Sequence, residues 1–212
     1  MFDRAQTYTT TPGHGGWTAA ATGTTPTKLN ITEDGGAAKL TLTSTSEAQI
    51  ACLYQNDILI YDLAHLQNVW YIAKVAGIEA VTTLTIGVGS ARNDTADTVA
   101  TNAWFRMEGS VSTTAVVVET DDATTDNNDK ATGETLAAVY KKFLIDFSQG
   151  LSDVRFFIDG DRVATATTFD MSALTAGLNV QPIVQIQKAS GTGVPSVTIA
   201  EFGVQYKTAY GA

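Results

Sequence analysis

Residues 140–165 decide the fold, and they read YKKFLIDFSQGLSDVRFFIDGDRVAT. Apolar side chains occupy every second position in two runs within this stretch, 143–147 and 154–158. A period of two is typical of β-strands that place one face against a hydrophobic core. Asp159-Gly160 follows the second run and predicts a type I′ turn, because both central residues of that turn need positive φ, which Asp tolerates and Gly adopts freely. The stretch therefore predicts antiparallel strands whose register is fixed by the turn.

The rest of the chain shows the same kind of short strand and very little that favours a helix. Of the 212 residues, 44% are hydrophobic and only 17% are charged, and the polar remainder is rich in residues that suit strands and turns. Strand patterns are predicted at 27–31, 38–43, 48–54, 57–61, 69–75, 83–89, 104–109, 114–120, 181–187 and 197–206. Such strands pack as two antiparallel sheets, because one open sheet would leave an apolar face in water. We expect a single-domain, all-β antiparallel sandwich at residues 17–212, preceded by a polar N-terminal arm at residues 1–16.

Three local features refine these strands. Asp62 follows the predicted strand 57–61 and is a plausible N-cap for one helical turn. Pro182 lies near the start of its strand, which favours an edge strand or a strand beginning, because proline cannot donate a hydrogen bond to the ladder. The apolar period slips near Ala200-Glu201, which predicts a β-bulge.

Charge excludes two classes of partner. The formal net charge is −9, and Lys141-Lys142 is the only adjacent pair among 13 basic residues. Binding to nucleic acid or to an anionic membrane needs clustered basic side chains, so neither is expected. No run reaches the length of about 18 apolar residues that spans a bilayer, and the N-terminus has no apolar signal segment, so we expect assembly in the cytoplasm.

Cysteine and histidine suggest no reactive or metal-binding centre. Cys52 is the only cysteine, which excludes an intrachain disulfide, and its apolar neighbours favour a buried hydrophobic role. His14 lies between glycines, and the only other histidine is His65, so neither has a partner at metal-ligand spacing.

The most acidic segment, residues 119–130, is a candidate calcium loop. Its four aspartates are hard oxygen ligands of the kind that calcium prefers: Asp121, Asp122, Asp126 and Asp129. The segment lacks the spaced pattern of a helix-loop-helix calcium site, and the favoured alternative is a solvated loop between strands. No other metal and no cofactor is expected.

Two groups of motifs together carry a resemblance to a known family. The hairpin FFIDG at 156–160 and the strand QPIVQIQK at 181–188 are the most distinctive. Further matching runs lie at 46–49, 57–63, 69–75, 86–89, 104–109, 118–122, 142–147 and 198–202. Over about residues 17–207 the chain resembles the concanavalin A-like (laminin G-like) jelly rolls, in the version found in virion structural proteins of tailed bacteriophages. The resemblance implies a fold more directly than a function.

Relatives of that family include glycoside hydrolases and lectins, so the resemblance admits both functions. A sandwich glycosidase needs paired carboxylates across a cleft, and the nearest pairs are Glu119 with Asp121 and Asp159 with Asp161. Solvated turn residues explain both pairs, and we expect no enzyme activity.

A lectin site needs an exposed aromatic platform. Trp17, Trp70 and Trp104 are the candidates for it, although the last two lie inside strand patterns and are expected in the core.

The favoured function is structural. In the resembling phage proteins such a domain decorates or cements the capsid exterior, and the alternative is a lectin-like module of a phage tail or fibre. The expected partners are the major capsid protein or neighbouring virion subunits, with a homo-oligomer that is a dimer or a trimer. The residues predicted to contact the capsid or a neighbouring copy belong to the arm and its junction with the sandwich: Phe2, Arg4, Tyr8 and Trp17.

Overall fold

The computed structural model describes residues 16–23, 28–33, 37–174 and 178–207. Within these ranges fifteen strands form two antiparallel sheets, joined by turns and by single turns of 3-10 helix. The strands are β1 (Thr18–Thr22), β2 (Lys28–Glu33), β3 (Ala37–Thr41), β4 (Gln49–Tyr54), β5 (Tyr61–Asp62), β6 (Leu66–Ala76), β7 (Thr82–Gly89), β8 (Thr101–Glu108), β9 (Ala115–Asp122), β10 (Asp126–Thr135), β11 (Tyr140–Asp146), β12 (Arg155–Ile158), β13 (Asp161–Val163), β14 (Asn179–Lys188) and β15 (Ser196–Tyr206). Nowhere in the described ranges is there a helix long and apolar enough to cross a bilayer.

The two sheets form the layers of a sandwich, which confirms the predicted all-β architecture. The eight-stranded sheet has the order β1-β4-β14-β7-β8-β9-β10, with β5 paired to β14. The seven-stranded sheet has the order β13-β12-β11-β6-β15-β3-β2. The division into an arm at residues 1–16 and a domain at residues 17–212 stays a prediction, because residues 1–15 lie outside the described residues.

The two hairpins predicted from residues 140–165 are present in the seven-stranded sheet. Phe143 lies opposite Ile158 in the pairing of β11 with β12. Asp159 and Gly160 then connect β12 to β13 with φ of 54° and 98°, the positive pair that a type I′ turn requires. The other edge of β11 pairs with β6, so the segment continues into the centre of the sheet.

The core lies between the sheets and is built from the inward-facing residues of both. Phe105 of β8 packs against Phe143 of β11 and Phe156 of β12, with ring centroids 5.2 Å apart in each pair. The Tyr71 hydroxyl of β6 crosses the interior and donates a hydrogen bond to the Gly87 carbonyl of β7, over 2.6 Å. Each large apolar side chain buried in this way contributes about 1.5–3 kcal/mol, so the interlocked rings fix the two sheets relative to one another.

The strand predicted at 57–61 is wrong for most of its length. Asn56 and Asp57 have φ of 54° and 57°, and the chain becomes a strand only at Tyr61. The backbone amides of Gln55 and Asp57 donate to the side-chain oxygen of Gln181 instead of to a neighbouring strand.

The segment after β5 is also a turn, not a helix. The Asp62 carboxylate accepts a hydrogen bond from the Ala64 amide over 2.9 Å and closes this turn, and β6 then begins at Leu66.

The acidic segment 119–130 is a hairpin, not a loop. Strand β9 continues to Asp122, residues 123–125 turn, and β10 begins at Asp126 and forms an edge of the eight-stranded sheet. Strand β10 was missed because its sequence, DNNDKATGET, has almost no apolar residue, and its pairing with β9 is interrupted twice. Charged and irregular edge strands of this kind resist pairing with other chains.

Two further local predictions can be compared with the structure. The bulge is confirmed, because the register of β15 against β6 shifts between Ile199 and Glu201. Of the two alternatives for Pro182, the edge strand is wrong, because β14 lies between β4 and β7, but Pro182 does lie near the start of β14. On one side of β14, the pairing with β5 ends at Val180 and the pairing with β4 begins at Ile183. Pro182 lies in the gap between these two partner strands, where its missing N–H is tolerated.

Candidate functional site

The candidate site is the outer face of the eight-stranded sheet, the face turned away from the seven-stranded sheet. Alternate residues of β8 face opposite ways, as in any strand. Phe105 and its inward neighbours belong to the core, whereas Asn102, Trp104 and Arg106 lie on the outer face. Those three outer residues are nevertheless buried, so something other than the second sheet covers them.

The covering segment is residues 90–100, called here the cover loop. The Gln185 side chain of β14 donates to the Asn93 carbonyl over 2.9 Å and reaches the Asp94 carbonyl at 3.4 Å. The Asn102 side chain donates to the Val99 carbonyl over 2.9 Å. At the other end of the loop, the Arg92 amide donates to the Asp57 carboxylate over 2.9 Å. Hydrogen bonds therefore hold the loop against the sheet at several points along its length.

An aromatic ring fills the space beneath the cover loop. Trp104 forms a small apolar cluster with Ala96 and Val99 of the loop, separate from the main core. On the other side the ring approaches two glycines of β7: a side-chain carbon added to Gly87 would lie 2.5 Å from Trp104 Cβ, and one added to Gly89 would lie 3.2 Å from the ring. The glycines are what allow the indole to lie close against the sheet.

Arg106 is the centre of the charged part of the site. Its guanidinium donates hydrogen bonds to the carboxylates of Glu108 and Glu119 and, over 2.5 Å, to that of Asp97 in the cover loop. Asp129 of β10 lies 3.8 Å away. One cation thus joins the sheet, its edge strand and the loop that covers them.

The electrostatics of this cluster favour a locked ion pair. Burial raises the pKa of Glu119, and the hydrogen bond and charge of Arg106 oppose that rise. Burial by itself would lower the pKa of Arg106, but its bond to Glu119 and the surrounding carboxylates raise the pKa above its usual value. Only 1% of the Glu119 side chain is exposed, so its carboxylate is held by protein groups and not by water.

In each of the two carboxylate pairs considered for glycoside hydrolysis, at least one member is engaged in structure. Glu119 is enclosed with Arg106, and the Asp121 carboxylate accepts a hydrogen bond from the Ala123 amide in the β9–β10 turn, over 2.7 Å. Asp159 accepts from the Lys142 amide over 2.8 Å and fixes the hairpin turn. None of these arrangements leaves two carboxyl groups facing each other across an accessible cleft.

The four aspartates considered for calcium do not converge on one point. Asp122 accepts hydrogen bonds from the amides of Thr124 and Thr125, over 2.9 and 2.5 Å, and so caps the turn. Asp126 accepts from the Asn128 side chain over 2.6 Å, and Asp129 faces Arg106. Across the part of the chain that the structure describes, no group of three or more acidic, histidine or cysteine side chains is arranged to hold a metal ion.

Cys52 and His65 lie apart from each other and have different surroundings. Cys52 is buried on the outer face of the sheet, as the sequence predicted for a small apolar residue, and its burial raises the pKa of the thiol to about 12, against a smaller opposing effect of Arg92. His65 is exposed and contacts the Asp62 carboxylate over 2.7 Å. His14 lies outside the described residues.

The three tryptophans occupy three different places and form no common platform. Trp17 is 7% exposed and packs edge-to-face on Phe202, so it contributes to the core and offers a partner very little surface. Trp70 is only half buried, on the outer face of the seven-stranded sheet, where its ring nitrogen donates to Glu201 over 2.7 Å. Trp104 is enclosed beneath the cover loop. The other residues predicted to contact a capsid, Phe2, Arg4 and Tyr8, lie outside the described residues.

Sequence reasoning missed the site because its parts are remote from one another along the chain. The cover loop reads SARNDTADTVA, a polar composition that by itself indicates only a loop between strands. Its two buried apolar residues, Ala96 and Val99, were the available signal. Beneath it, Asn102 Oδ1, Arg106 Nε and Gln185 Oε1 are buried polar atoms with no hydrogen-bond partner in the structure. Buried polar atoms are seldom left unpaired, so these three mark a place suited to ordered water or to a polar ligand.

Comparison with known proteins defines the class of fold. No family model and no curated protein matches the chain. The solved structures that share its fold include the carbohydrate recognition domain of Emp47p, with 10% identity, a TM-score of 0.61, and 95% of this chain and 93% of that chain covered. A Bacteroides ovatus GH16 mixed-linkage glucan protein in complex with its product matches with 10% identity, a TM-score of 0.62, and 91% and 96% covered. An endo-acting O-glycanase of the human gut microbiota matches with 9% identity, a TM-score of 0.60, and 97% and 98% covered.

These similarities show a concanavalin A-like jelly roll, as the sequence motifs suggested. At such identities they describe the fold alone.

Proposed function

We propose that this protein is a non-enzymatic virion structural protein of a tailed bacteriophage, which binds the exterior of the assembled capsid and stabilises it. The observation that carries the non-enzymatic part of the proposal is the closed outer face of the eight-stranded sheet, and the capsid partner rests on the sequence resemblance. A glycosidase needs two carboxyl groups on either side of an accessible sugar bond. Here the best placed carboxylate, Glu119, is buried, paired with Arg106 and covered by the protein's own loop.

The way such a protein would act is mass action. A subunit that binds the assembled shell but not its separate components stabilises the shell by its binding free energy. The partner in this proposal is the major capsid protein, and the contact is made by the segment at residues 1–16. Neither a cofactor nor a metal ion takes part.

A second candidate is a carbohydrate-binding module of a phage tail or fibre. It is favoured by unpaired buried polar atoms beneath the cover loop, among them Asn102 Oδ1, Arg106 Nε and Gln185 Oε1, because hydroxyl groups of a sugar could satisfy them. Structures of this fold also include a carbohydrate recognition domain. For a sugar to reach these atoms, the cover loop would have to move.

Co-sedimentation with empty capsids separates the two candidates. The full-length protein is mixed with capsids of the phage that encodes it, and the same protein is applied to a glycan array. The proposal predicts that the protein pellets with capsids and that a variant without residues 1–16 remains folded and stays in the supernatant.

Two results would overturn parts of this account. Retained capsid binding by the shortened variant would exclude the terminal segment as the contact. A protein that ignores capsids and binds a defined glycan would replace the structural function by the carbohydrate-binding one.

A further inference from the structure

Two connections between the sheets lie side by side at one end of the sandwich. Residues 42–48 lead from β3 in the seven-stranded sheet to β4 in the eight-stranded sheet, and residues 189–195 lead back from β14 to β15. The strands that they join are neighbours in both sheets, because β4 pairs with β14 and β3 pairs with β15. The Leu42 amide donates to the Pro195 carbonyl over 3.0 Å and links the two connections directly. Groups that join these connections therefore join the two sheets at this end.

A buried cation lies between the two connections. The Lys188 ammonium, at the end of β14, donates hydrogen bonds to four main-chain carbonyl oxygens, two from each connection. They belong to Thr43 at 2.5 Å, Thr45 at 2.9 Å, Gly191 at 2.8 Å and Gly193 at 3.2 Å. Only 3% of Lys188 is exposed, so water contributes little to solvating its charge. The four oxygens, called here the carbonyl cage, take the place of that water.

The composition of the carbonyl cage is that of a cation site. An ammonium group has three N–H donors, so at least one donor is shared when four carbonyls surround it. None of the four acceptors is a carboxylate, and rings of main-chain carbonyls are what proteins use to replace the hydration shell of potassium. Three of the four distances lie between 2.8 and 3.2 Å, longer than the distance of about 2.3–2.6 Å that calcium requires. The cage therefore suits a large monovalent cation.

The sequence SGTG at residues 190–193 shapes one half of the carbonyl cage. Gly191 has a φ of 84°, which residues with a side chain rarely adopt. At Gly193 an added side-chain carbon would lie 2.1 Å from a carboxylate oxygen of Glu79. Glycine at these two positions lets the connection direct both carbonyls toward Lys188. The Glu79 carboxylate beside Gly193 also favours a positive charge at this place.

The other half of the carbonyl cage is supported by a side chain other than Lys188. The Thr43 amide donates to Gln49 Oε1 over 2.9 Å, and Gln49 Nε2 donates to Thr43 Oγ1 over 2.6 Å and to Glu47 Oε1 over 2.9 Å. Gln49 is buried and lies opposite Lys188 in the pairing of β4 with β14. Because these bonds do not involve the ammonium, we expect the cage to keep its shape when the ammonium is removed.

We propose that the four carbonyls form a binding site for a monovalent cation, which the chain fills with its own ammonium group. The wild-type protein then needs no free ion to hold the two connections together. A chain without the Lys188 ammonium binds potassium or an alkylammonium ion in the same place. The proposal goes beyond the proposed function, because it involves neither a capsid nor a glycan and holds for either candidate function.

Chemical rescue of Lys188→Ala tests the proposal on the full-length protein. The substitution removes Cγ, Cδ, Cε and Nζ, and propylammonium supplies the same atoms. Urea denaturation measures the unfolding constant in propylammonium, potassium or choline chloride, and choline is the reference because its nitrogen carries methyl groups and no N–H. At about 0.1 M, propylammonium should lower the unfolding constant of the variant about tenfold relative to choline. Potassium should have a smaller effect, because it leaves the space of the aliphatic stem empty.

Two controls make the result specific to the carbonyl cage. The wild-type protein should show the same stability in the three salts, because its cage is already filled. Lys188→Met keeps an aliphatic stem but directs a methyl group at the cage. It should be less stable than wild type, since the carbonyls lose their donor, and it should not distinguish the salts.

Three results would overturn the proposal. One is a Lys188→Ala variant that is as stable as wild type in choline, and another is a destabilised variant that responds alike to all three salts. The second result would leave Lys188 as a donor of directed hydrogen bonds only. If Lys188→Ala does not fold in choline, circular dichroism measures the folded fraction in each salt. Recovery in propylammonium then supports the proposal, and a chain that stays unfolded in every salt is the third contradicting result.

Discussion

Residues on both faces of the eight-stranded sheet are buried, but a different part of the molecule covers each face. On the inner face, Phe105 is buried by aromatic rings of the second sheet. On the outer face, Trp104 and Arg106 are buried by an eleven-residue loop that is held by hydrogen bonds and one ion-pair cluster. Neighbouring residues of one strand are therefore buried to a similar extent, but one is covered by the second sheet and the others by a loop.

The difference teaches that burial alone does not measure stability. Opening the inner face requires the sheets to separate, which is global unfolding. Opening the outer face requires only that the cover loop lift away, which breaks a limited set of contacts and can occur as a local event at lower free energy. Function that depends on access to the outer face is therefore controlled by the loop.

The largest effect is expected on the inner face. Phe105→Ala should lower the free energy of unfolding by about 4–5 kcal/mol, because it removes a ring that contacts Phe143 and Phe156 and leaves a cavity. Urea denaturation followed by circular dichroism measures it. The control is Phe157→Ala, at a half-buried phenylalanine on the outside of the seven-stranded sheet, where a loss of about 1 kcal/mol or less is expected. Equal losses at the two positions would contradict the assignment of the core.

The next effect concerns the ion pair on the outer face. Arg106→Met should cost about 3 kcal/mol at neutral pH, because it leaves the buried Glu119 carboxylate without its cation. The double variant Arg106→Met/Glu119→Met should recover most of that loss. Denaturation of the single and double variants measures the coupling, and simple additivity would show that the two groups do not interact.

The same variant has a defined pH dependence. Without Arg106 nothing opposes the rise that burial causes in the pKa of Glu119, so the folded state of the variant prefers the protonated carboxyl group. Stability linked to a raised pKa is present below the unfolded pKa and is lost as the pH rises through the folded one. Relative to wild type, Arg106→Met should therefore regain stability as the pH is lowered from neutrality toward the ordinary range of glutamate.

The smallest effect reports on the cover loop alone. Cys52 is the only cysteine and lies buried on the outer face with a pKa of about 12, so in the folded protein it should react very slowly with iodoacetamide at mildly alkaline pH. Gln185→Ala removes the side chain that bonds to the loop and should speed the reaction about tenfold with little change in overall stability. Gln205→Ala, on the other sheet, is the control. An unchanged rate in Gln185→Ala would show that this bond does not hold the loop closed.

The sequence predicted what is local and periodic. The alternation around Phe143 and the Asp159-Gly160 turn were sufficient for the hairpins, because period and turn chemistry act over a few residues. The bulge near Ala200 was found from a slip in the same period. The predicted strand at 57–61 failed because its apolar residues resemble a strand, although Asn56 and Asp57 adopt positive φ and Gln181 satisfies the backbone.

The candidate site was not predictable, because it depends on contacts between distant parts of the chain. Gln185 and Asn93 are separated by 92 positions, and nothing local shows that they meet. Strand β10 was not predicted for a similar reason. It is a polar edge strand held by backbone pairing to its neighbour, so its side chains show no apolar alternation. The aspartates of segment 119–130 suggested a calcium loop, but the carboxylates of Asp121 and Asp122 serve the β9–β10 turn and that of Asp129 faces Arg106.

Native-state hydrogen exchange of the cover loop tests the central claim most directly, namely that the protein's own chain closes the outer face of the eight-stranded sheet. The Arg92 amide donates to the Asp57 carboxylate outside the loop and reports on its docking, whereas the amides of Thr98 and Val99 donate to the Thr95 and Ala96 carbonyls and report on the folded turn within the loop. The account predicts that they exchange at least about a hundredfold more slowly than in an unstructured peptide. Exchange at the rate of a free peptide would mean that the outer face of the eight-stranded sheet is open. That result would contradict the account and would favour the carbohydrate-binding function.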